Sequence, residues 1–378
     1  MTVTKPVTVT KSTVIGLRCT LDVSRAPLVW RTPDGKLSAM PPRTAIIRPT
    51  TKKVSLADIA ARAGVSVPTV ARILAGGNKE VWVGASARAD RVRQAAEELG
   101  YRPNHAASSL AAGTSSTIAL AVSEQGFFDT GIYLPLLHMA LRAATAAGFH
   151  LLPVMMGGGS DAWRKRLIDD HVAGVLVTQP APDDLPETLL RFKVPTVLLN
   201  LESDLPLPQV RFADGQGIRL ALEHLAGLGH RRIVHWDELP GLIDGHFSAT
   251  LRRRMVDAEA ARLKLVVRRP VAFAETIAQC PETAVLCSDR SARDLLLACH
   301  RSGRRVPDQL SVIGINDEYA AEWTIPPLTT VHVPVEDLVL RGLALLQSAI
   351  AGDAVPLVAE LLPERLVVRG TTAAPHAG

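Results

Sequence analysis

From residue 117 onward, short apolar runs rich in Val, Ile, Leu and Thr alternate with stretches of helical period. That alternation restricts the fold more than any other feature of the chain. The spacing predicts strands over 117–122, 150–155, 174–178, 196–200, 232–236, 284–287 and 311–315. Helices are expected between them, over 136–147, 218–228 and 291–302 among others. Strands that are hydrophobic along their length are buried on both faces, and strands joined through helices run parallel. Roughly 260 residues at this spacing suit two doubly wound parallel sheets with a cleft between them, where ligands bind beyond the carboxyl ends of the strands.

The segment before this body reads differently. Ser55-Leu56-Ala57-Asp58 has the form of a capping box, with Ser55 as N-cap and Asp58 three positions on. The helix it opens should stop at Gly64. Ser66 then caps a second helix over 67–74, with Pro68 in its first turn, where a missing N–H costs little. A third helix is expected over 86–99, since Val92, Ala95, Ala96 and Leu99 form one apolar stripe and Gly100 supplies the stop. Two short helices joined at Gly64 form a helix-turn-helix, with Ile59, Ala60, Val65, Val70 and Ile73 at core spacing; taken alone, an ordinary helical hairpin fits them as well.

Charge divides the chain at the same place. Residues 1–113 hold 17 Lys and Arg against 7 Asp and Glu, whereas the rest hold 25 against 30. A basic front on an acidic body suits a polyanion-binding head. Residues 1–52, rich in Thr, Pro and Val, sustain no helical period and read as a poorly ordered extension, with a weak strand near 14–17. Met40 stands as an alternative start. No apolar run approaches a membrane span and no signal peptide is visible, so the expectation is a soluble cytoplasmic protein without membrane partners. Cys19, Cys280, Cys287 and Cys299 lack metal-ligand spacing and read as reduced structural thiols, and the histidines show no zinc pattern. No cofactor or metal is expected. Gly157-Gly158-Gly159 lacks the Lys-Ser/Thr of a phosphate loop and reads as a turn.

Several longer strings decide between these readings. Val54-Ser55-Leu56-Ala57-Asp58-Ile59-Ala60, Ala63-Gly64-Val65-Ser66 and Thr69-Val70-Ala71-Arg72-Ile73-Leu74 resemble the DNA-binding head of the lactose repressor (LacI/GalR) family. So does Ala96-Glu97-Glu98-Leu99-Gly100-Tyr101-Arg102-Pro103-Asn104, followed by Ala107, Ser109 and Leu110. In the body the resemblance continues through Gly227-Leu228-Gly229-His230-Arg231-Arg232, Val312-Ile313-Gly314-Ile315-Asn316-Asp317, Pro327-Leu328-Thr329-Thr330 and Val367-Val368-Arg369-Gly370. The resemblance implies a homodimeric, non-enzymatic transcription regulator that binds double-stranded operator DNA, with a body like periplasmic sugar-binding proteins. It divides the chain into an extension (1–52), a helix-turn-helix domain (53–103), a hinge helix and linker (104–115) and an effector-binding and dimerisation domain of two subdomains (116–378).

Residue roles follow partly from chemistry. An arginine at Arg72, protruding from the second helix, matches guanine O6 and N7 in two hydrogen bonds, with roughly 1–3 kcal/mol of discrimination at stake. The resemblance places Val67 and Pro68 at the specificity positions; neither side chain hydrogen-bonds, so readout there is apolar contact. Ser55, Ser66 and Thr69 suit phosphates, and for the two serines helix capping is an equal and compatible role. The resemblance also makes Asn104, Ala107 and Leu110 part of a hinge helix whose Leu110 wedges into the minor groove. So short a helix is unstable alone in water and should form only on DNA.

For a small effector, the resemblance points to Phe128, Asn200, Arg252, Ser288, Asp289 and Asn316 around the cleft. Ser288 stands where the family often has Asn and Asn316 where it often has Asp, and the stretch from Arg269 to Ala284 is shortened. A sugar, a phosphorylated sugar, a nucleoside-like ligand or no ligand all remain open from sequence. Two other classes compete with a regulator. An exported small-molecule binding protein would need a signal peptide, and a doubly wound enzyme would need a phosphate loop or a nucleophile motif.

Overall fold

The computed structural model describes residues 29–31, 37–39, 54–74, 83–101, 115–123, 131–157, 161–169, 171–178, 181–236, 247–270 and 280–375. These fall into two compact units, Met1–Tyr101 and Arg102–Gly378.

In the first unit, α1 (Leu56–Ala63), α2 (Val67–Leu74) and α3 (Val83–Glu98) surround a core of Ile59, Ala60, Val70, Ile73, Ala89, Val92, Ala95 and Ala96. The capping box forms as expected: Ser55 Oγ accepts from the Asp58 amide, and Asp58 Oδ2 accepts from the Ser55 amide at 2.8 Å. Gly64 ends α1 at φ 66°, a left-handed conformation that a Cβ disfavours, so the sharp turn into α2 needs glycine there. Arg62 on α1 pairs with Glu98 on α3 at 2.8 Å. α3 begins at Val83, three residues earlier than the sequence suggested, because a glycine in a first turn costs less than one in a helix interior. The strand expected near 14–17 lies outside the described residues. The extension is not without structure, however, as β1 (Val29–Arg31) and β2 (Leu37–Ala39) pair antiparallel with Trp30 opposite Ser38. Three-residue strands are too short to show an alternating pattern, which is why the sequence reading missed them.

The second unit holds two six-stranded sheets. One contains β3 (Thr117–Ser123), β4 (His150–Met156), β5 (Gly174–Thr178), β6 (Thr196–Leu199), β7 (Gln209–Phe212) and β13 (Glu360–Leu362), in the order β13-β7-β6-β5-β3-β4, all parallel. The other contains β8 (Arg232–His235), β9 (Val266–Arg268), β10 (Ala284–Leu286), β11 (Ser311–Asn316), β12 (Thr329–His332) and β14 (Arg365–Val367), in the order β14-β12-β11-β10-β8-β9, parallel except for β14. Each strand expected from the apolar runs is present to within a residue or two at either end.

Helices α4 (Tyr133–Ala146), α5 (Ala162–Leu167) and α6 (Leu185–Arg191) connect the strands of the first sheet. α7 (Asp214–Gly227), α8 (Phe247–Leu263) and α9 (Asp289–Ser302) belong to the second. The long C-terminal helix α10 (Val335–Ala351) returns to pack on β5, β6 and β7. The chain therefore passes between the N-terminal and C-terminal lobes after β7, again between β12 and α10, and again between β13 and β14. One apolar core runs through both lobes, from Leu120, Leu176 and Leu199 to Ile233, Leu286 and Ile313. These crossovers place the carboxyl ends of both sheets beside one another, where such folds bind ligands. No helix among the described residues is long and apolar enough to cross a membrane.

Candidate functional site

Two sets of residues carry the candidate chemistry, one in each unit. In the first unit, α2 buries Val70 and Ile73 and turns Val67, Pro68 and Arg72 to solvent. Val67 is 41% exposed, which an apolar side chain at a helix start tolerates but does not seek. Arg72 has no hydrogen bond or ion pair with any described residue. Ser66 Oγ and Thr69 Oγ1 lie 2.8 Å apart at the amino end of α2, so both hydroxyls and the first amides of the helix face the same way. Such an end attracts anions. Ser55 is engaged with Asp58 as a cap. Asn104, Ala107, Leu110 and Phe128 lie outside the described residues.

In the second unit, the structure brings Asn200, Arg252, Ser288, Asp289 and Asn316 to the carboxyl ends of the strands and the helices that follow. Asn200 ends β6 with φ 52°, and Asn316 and the following Asp317 end β11 with φ 121° and 56°. Side chains rarely adopt this region of the backbone, and Asn and Asp tolerate it best because they hydrogen-bond locally. Strain of this kind collects at ligand clamps. Asn200 is buried, donates to Ser248 Oγ on α8 at 2.9 Å and accepts from the Phe212 amide at 3.2 Å. Its amide thus joins the two lobes.

Arg252 reaches inward from α8 to a buried pair of acids. Its Nε lies 2.6 Å from Asp214 Oδ1, and its Nη2 lies 3.9 Å from Glu364 Oε1. Asp214 opens α7 at the first crossover, and Glu364 sits between β13 and β14 at the last. One arginine therefore ties two crossovers together. Two carboxylates share this one guanidinium, and Asp214 Oδ2 and Glu364 Oε1 have no hydrogen-bond partner. Burial and the neighbouring Asp214 charge push the Glu364 carboxyl up, against the pull of Arg252 and a Gly217 amide.

Asp289 and Ser288 hold the second rim. Ser288 caps α9 by accepting from the Ser291 amide at 3.2 Å. Asp289 has no exposed atoms; Oδ1 accepts from Thr330 Oγ1 and Oδ2 from the Glu318 amide, both at 2.6 Å. Burial raises its carboxyl to about 7 despite these two bonds. Gly314 is required beside it, since a Cβ there would overlap Asp289 Oδ1. In this arrangement Asp289 acts on the loop that carries Asn316 rather than presenting an oxygen to the cleft.

Sequence reasoning missed Asp214, Asp317, His332, Glu364 and Arg369. Asp317 bonds His332 Nδ1 at 3.0 Å and Arg369 Nη2 at 2.8 Å, so β11, β12 and the segment after β14 share one carboxylate. Asp317 and Arg369 belong to the family-like stretches 312–317 and 367–370, but nothing in either stretch signals the other. Among the described residues, no group of three His, Cys, Asp or Glu could hold a metal ion. Cys280, Cys287 and Cys299 are buried.

The comparisons with known proteins cover both units. The sequence model for bacterial regulatory proteins of the lacI family matches residues 55–104, and that for the periplasmic binding protein-like domain matches 222–372. The transcriptional regulator CelR of Thermobifida fusca is 31% identical over 348 residues, which are 84% of this chain and 98% of CelR. The lactose operon repressor of Escherichia coli K12 is 28% identical over 346 residues, 86% of this chain and 92% of that protein. A solved lac repressor dimer bound to operator and the anti-inducer ONPF superposes with a TM-score of 0.73 at 27% identity, covering 85% of this chain and all of that one. A CelR–cellobiose complex gives 0.58 at 27% identity, covering 84% and 100%.

Proposed function

Because this chain belongs to the LacI family of bacterial regulatory proteins, we propose that it is a homodimeric transcriptional repressor of the cytoplasm whose grip on operator DNA is set by a small sugar or sugar derivative. The observation that carries this reading is the outward face of α2. A helix that buries Val70 and Ile73 while leaving Val67, Pro68 and an unpaired Arg72 in solvent is arranged to enter a major groove amino end first. Arg72 reads a guanine, Val67 and Pro68 contact a thymine methyl or a neighbouring apolar edge, and Ser66 and Thr69 meet phosphates. Asn104 and Ala107 position the hinge, and Leu110 enters the minor groove.

The effector lies between the lobes, against Phe128, Asn200, Arg252, Ser288 and Asn316. Hydroxyl-rich ligands need paired donors and acceptors, which Asn and Arg side chains supply. Since Asn200 already bonds Ser248 across the lobes, a ligand hydroxyl that takes over either partner changes what holds the lobes together. That is the differential contact a ligand needs to shift a conformational equilibrium.

Gel shifts on a pseudo-palindromic duplex test the reading. Affinity should fall as salt rises, by about −0.9 in the log–log slope for each phosphate neutralised. Arg72→Ala should cost about 1–3 kcal/mol on operator and little on random DNA. A slope near zero, or equal losses on both duplexes, would sink the assignment.

A further inference from the structure

A recess of about 680 Å³ opens where the two lobes meet, between the carboxyl end of β7, the start of α7 and the first turns of α8. Neither Asn200, Arg252, Ser288 nor Asn316 lines it. Thr250 and Arg254 line it from one face of α8, and at about 100° per residue Arg252 points roughly the opposite way. The recess therefore opens on the other face of α8 from Arg252 and meets the site described above only along its wall, at Phe212 and Asp214.

Its charges do not balance. Arg211, Arg219 and Arg254 line it, against Glu202 and Asp214. Asp214 is bound to Arg252, and Glu202 is bound to Arg211. Arg219 comes only within 3.8 Å of Glu259, which is itself held by Arg262 at 2.6 Å. Arg254 is exposed and has no hydrogen bond or ion pair with any described residue. Arg254 thus has its full set of donors for a ligand, and Arg219, held only by the long contact with Glu259, keeps most of its own. A further donor is also unspent, since Arg211 Nε is buried with no acceptor. The wall is apolar: Arg211 lies 5.2 Å over the Phe247 ring, and Leu251 and Leu361 complete it.

We propose that this recess is a second ligand site, for a small organic phosphate. A phosphomonoester dianion matches the unpaired guanidinium of Arg254 and the loosely paired one of Arg219 in charge, and its oxygens match their forked donors. The ester group lies on Phe247. Arg211 and Leu361 come from the N-terminal lobe and Arg219 and Arg254 from the C-terminal lobe, so an occupant ties the lobes together at their crossover. Its binding is then coupled to that of any cleft ligand that prefers one lobe angle.

Phenyl phosphate is a suitable probe for isothermal titration of the full-length protein. Saturable binding of one molecule per chain is expected, weakening as salt rises, with inorganic phosphate bound several-fold more weakly for want of the aromatic contact. The double variant Arg219→Ala/Arg254→Ala changes two exposed side chains. It should lose about tenfold or more in phenyl phosphate affinity while shifting operator DNA as the parent does. Asn316→Ala, on the cleft, should bind the probe like the parent. Absence of saturable binding overturns the proposal, as does undiminished binding in the double variant or equal affinity for the two probes. Loss in Asn316→Ala with retention in the double variant would place the probe in the cleft. A sugar titration of the same proteins judges the cleft reading independently.

Discussion

The two sheets of the body have the same strand count and nearly the same order, yet their rims are built differently. At the end of β6, the N-terminal rim is held by Asn200 alone of the residues singled out, through a neutral amide bonded to Ser248 and Phe212. At the ends of β10 and β11, the C-terminal rim is a web of charge. Asp289 holds Thr330 and the Glu318 amide, while Asp317 holds His332 and Arg369. A neutral bond is worth about 1 kcal/mol net, and breaking a buried charged network costs several times more. The C-terminal rim is therefore the fixed wall of the cleft, and the N-terminal rim is the side that can let go. Between them stands Arg252, whose two acids belong to the crossovers themselves.

The largest expected effect tests that junction. Arg252→Ala leaves Asp214 and Glu364 buried without a counter-charge, and should destabilise the body by about 3–5 kcal/mol. The loss should be smaller at pH 5 than at pH 8, because an acid that takes up a proton no longer needs the arginine. Denaturant unfolding at the two pH values checks it, and a loss independent of pH would remove the acids from the account. Next comes the C-terminal rim. Asp289→Ala strands the Thr330 hydroxyl and the Glu318 amide and should cost about 2–3 kcal/mol. Asn200→Ala, on the other rim, should cost only about 1 kcal/mol in the same experiment. Equal losses for these two variants would erase the contrast between the walls.

The smallest effect is one of pH. Burial raises the Asp289 carboxyl from 3.8 to about 7 in the folded protein. A raised acid favours folding below its unfolded value, and this contribution is lost as pH climbs from about 4 through 7. Asp289→Asn imitates the protonated acid, so the stability of the parent should decline relative to this variant across that window. Thermal unfolding at several pH values measures it, and parallel curves would show that Asp289 keeps one protonation state throughout.

Much of the head was legible because its signals are local. Ser55 and Asp58 are three residues apart, Gly64 needs its left-handed turn whatever surrounds it, and the apolar spacing of α2 already says which face Arg72 must take. The long strands of the body were legible for a similar reason, since runs such as those in β3 and β5 are apolar on both faces and suit only the middle of a covered sheet.

Several of the shortest strands were not legible in this way. β9, β13 and β14 carry too few residues for a period, and each becomes a strand only by pairing with a neighbour already in place. Nothing local sends β13 to one sheet and β14 to the other, although two residues separate them. The same holds for the site. The family resemblance pointed to Asn200, Arg252, Ser288, Asp289 and Asn316, and the apolar runs and helical periods placed them after strands or on helices. Only the tertiary structure decided that Arg252 faces Asp214 and Glu364, that Asp289 is spent on Thr330 and Glu318, and that Asp317 reaches Arg369. Electrostatic partners are chosen by distance in space, and these pairs are separated by up to 112 positions in the chain. Residue types and their periodicity specify which face is buried, but the buried charges meet only after the sheets have brought the crossovers together.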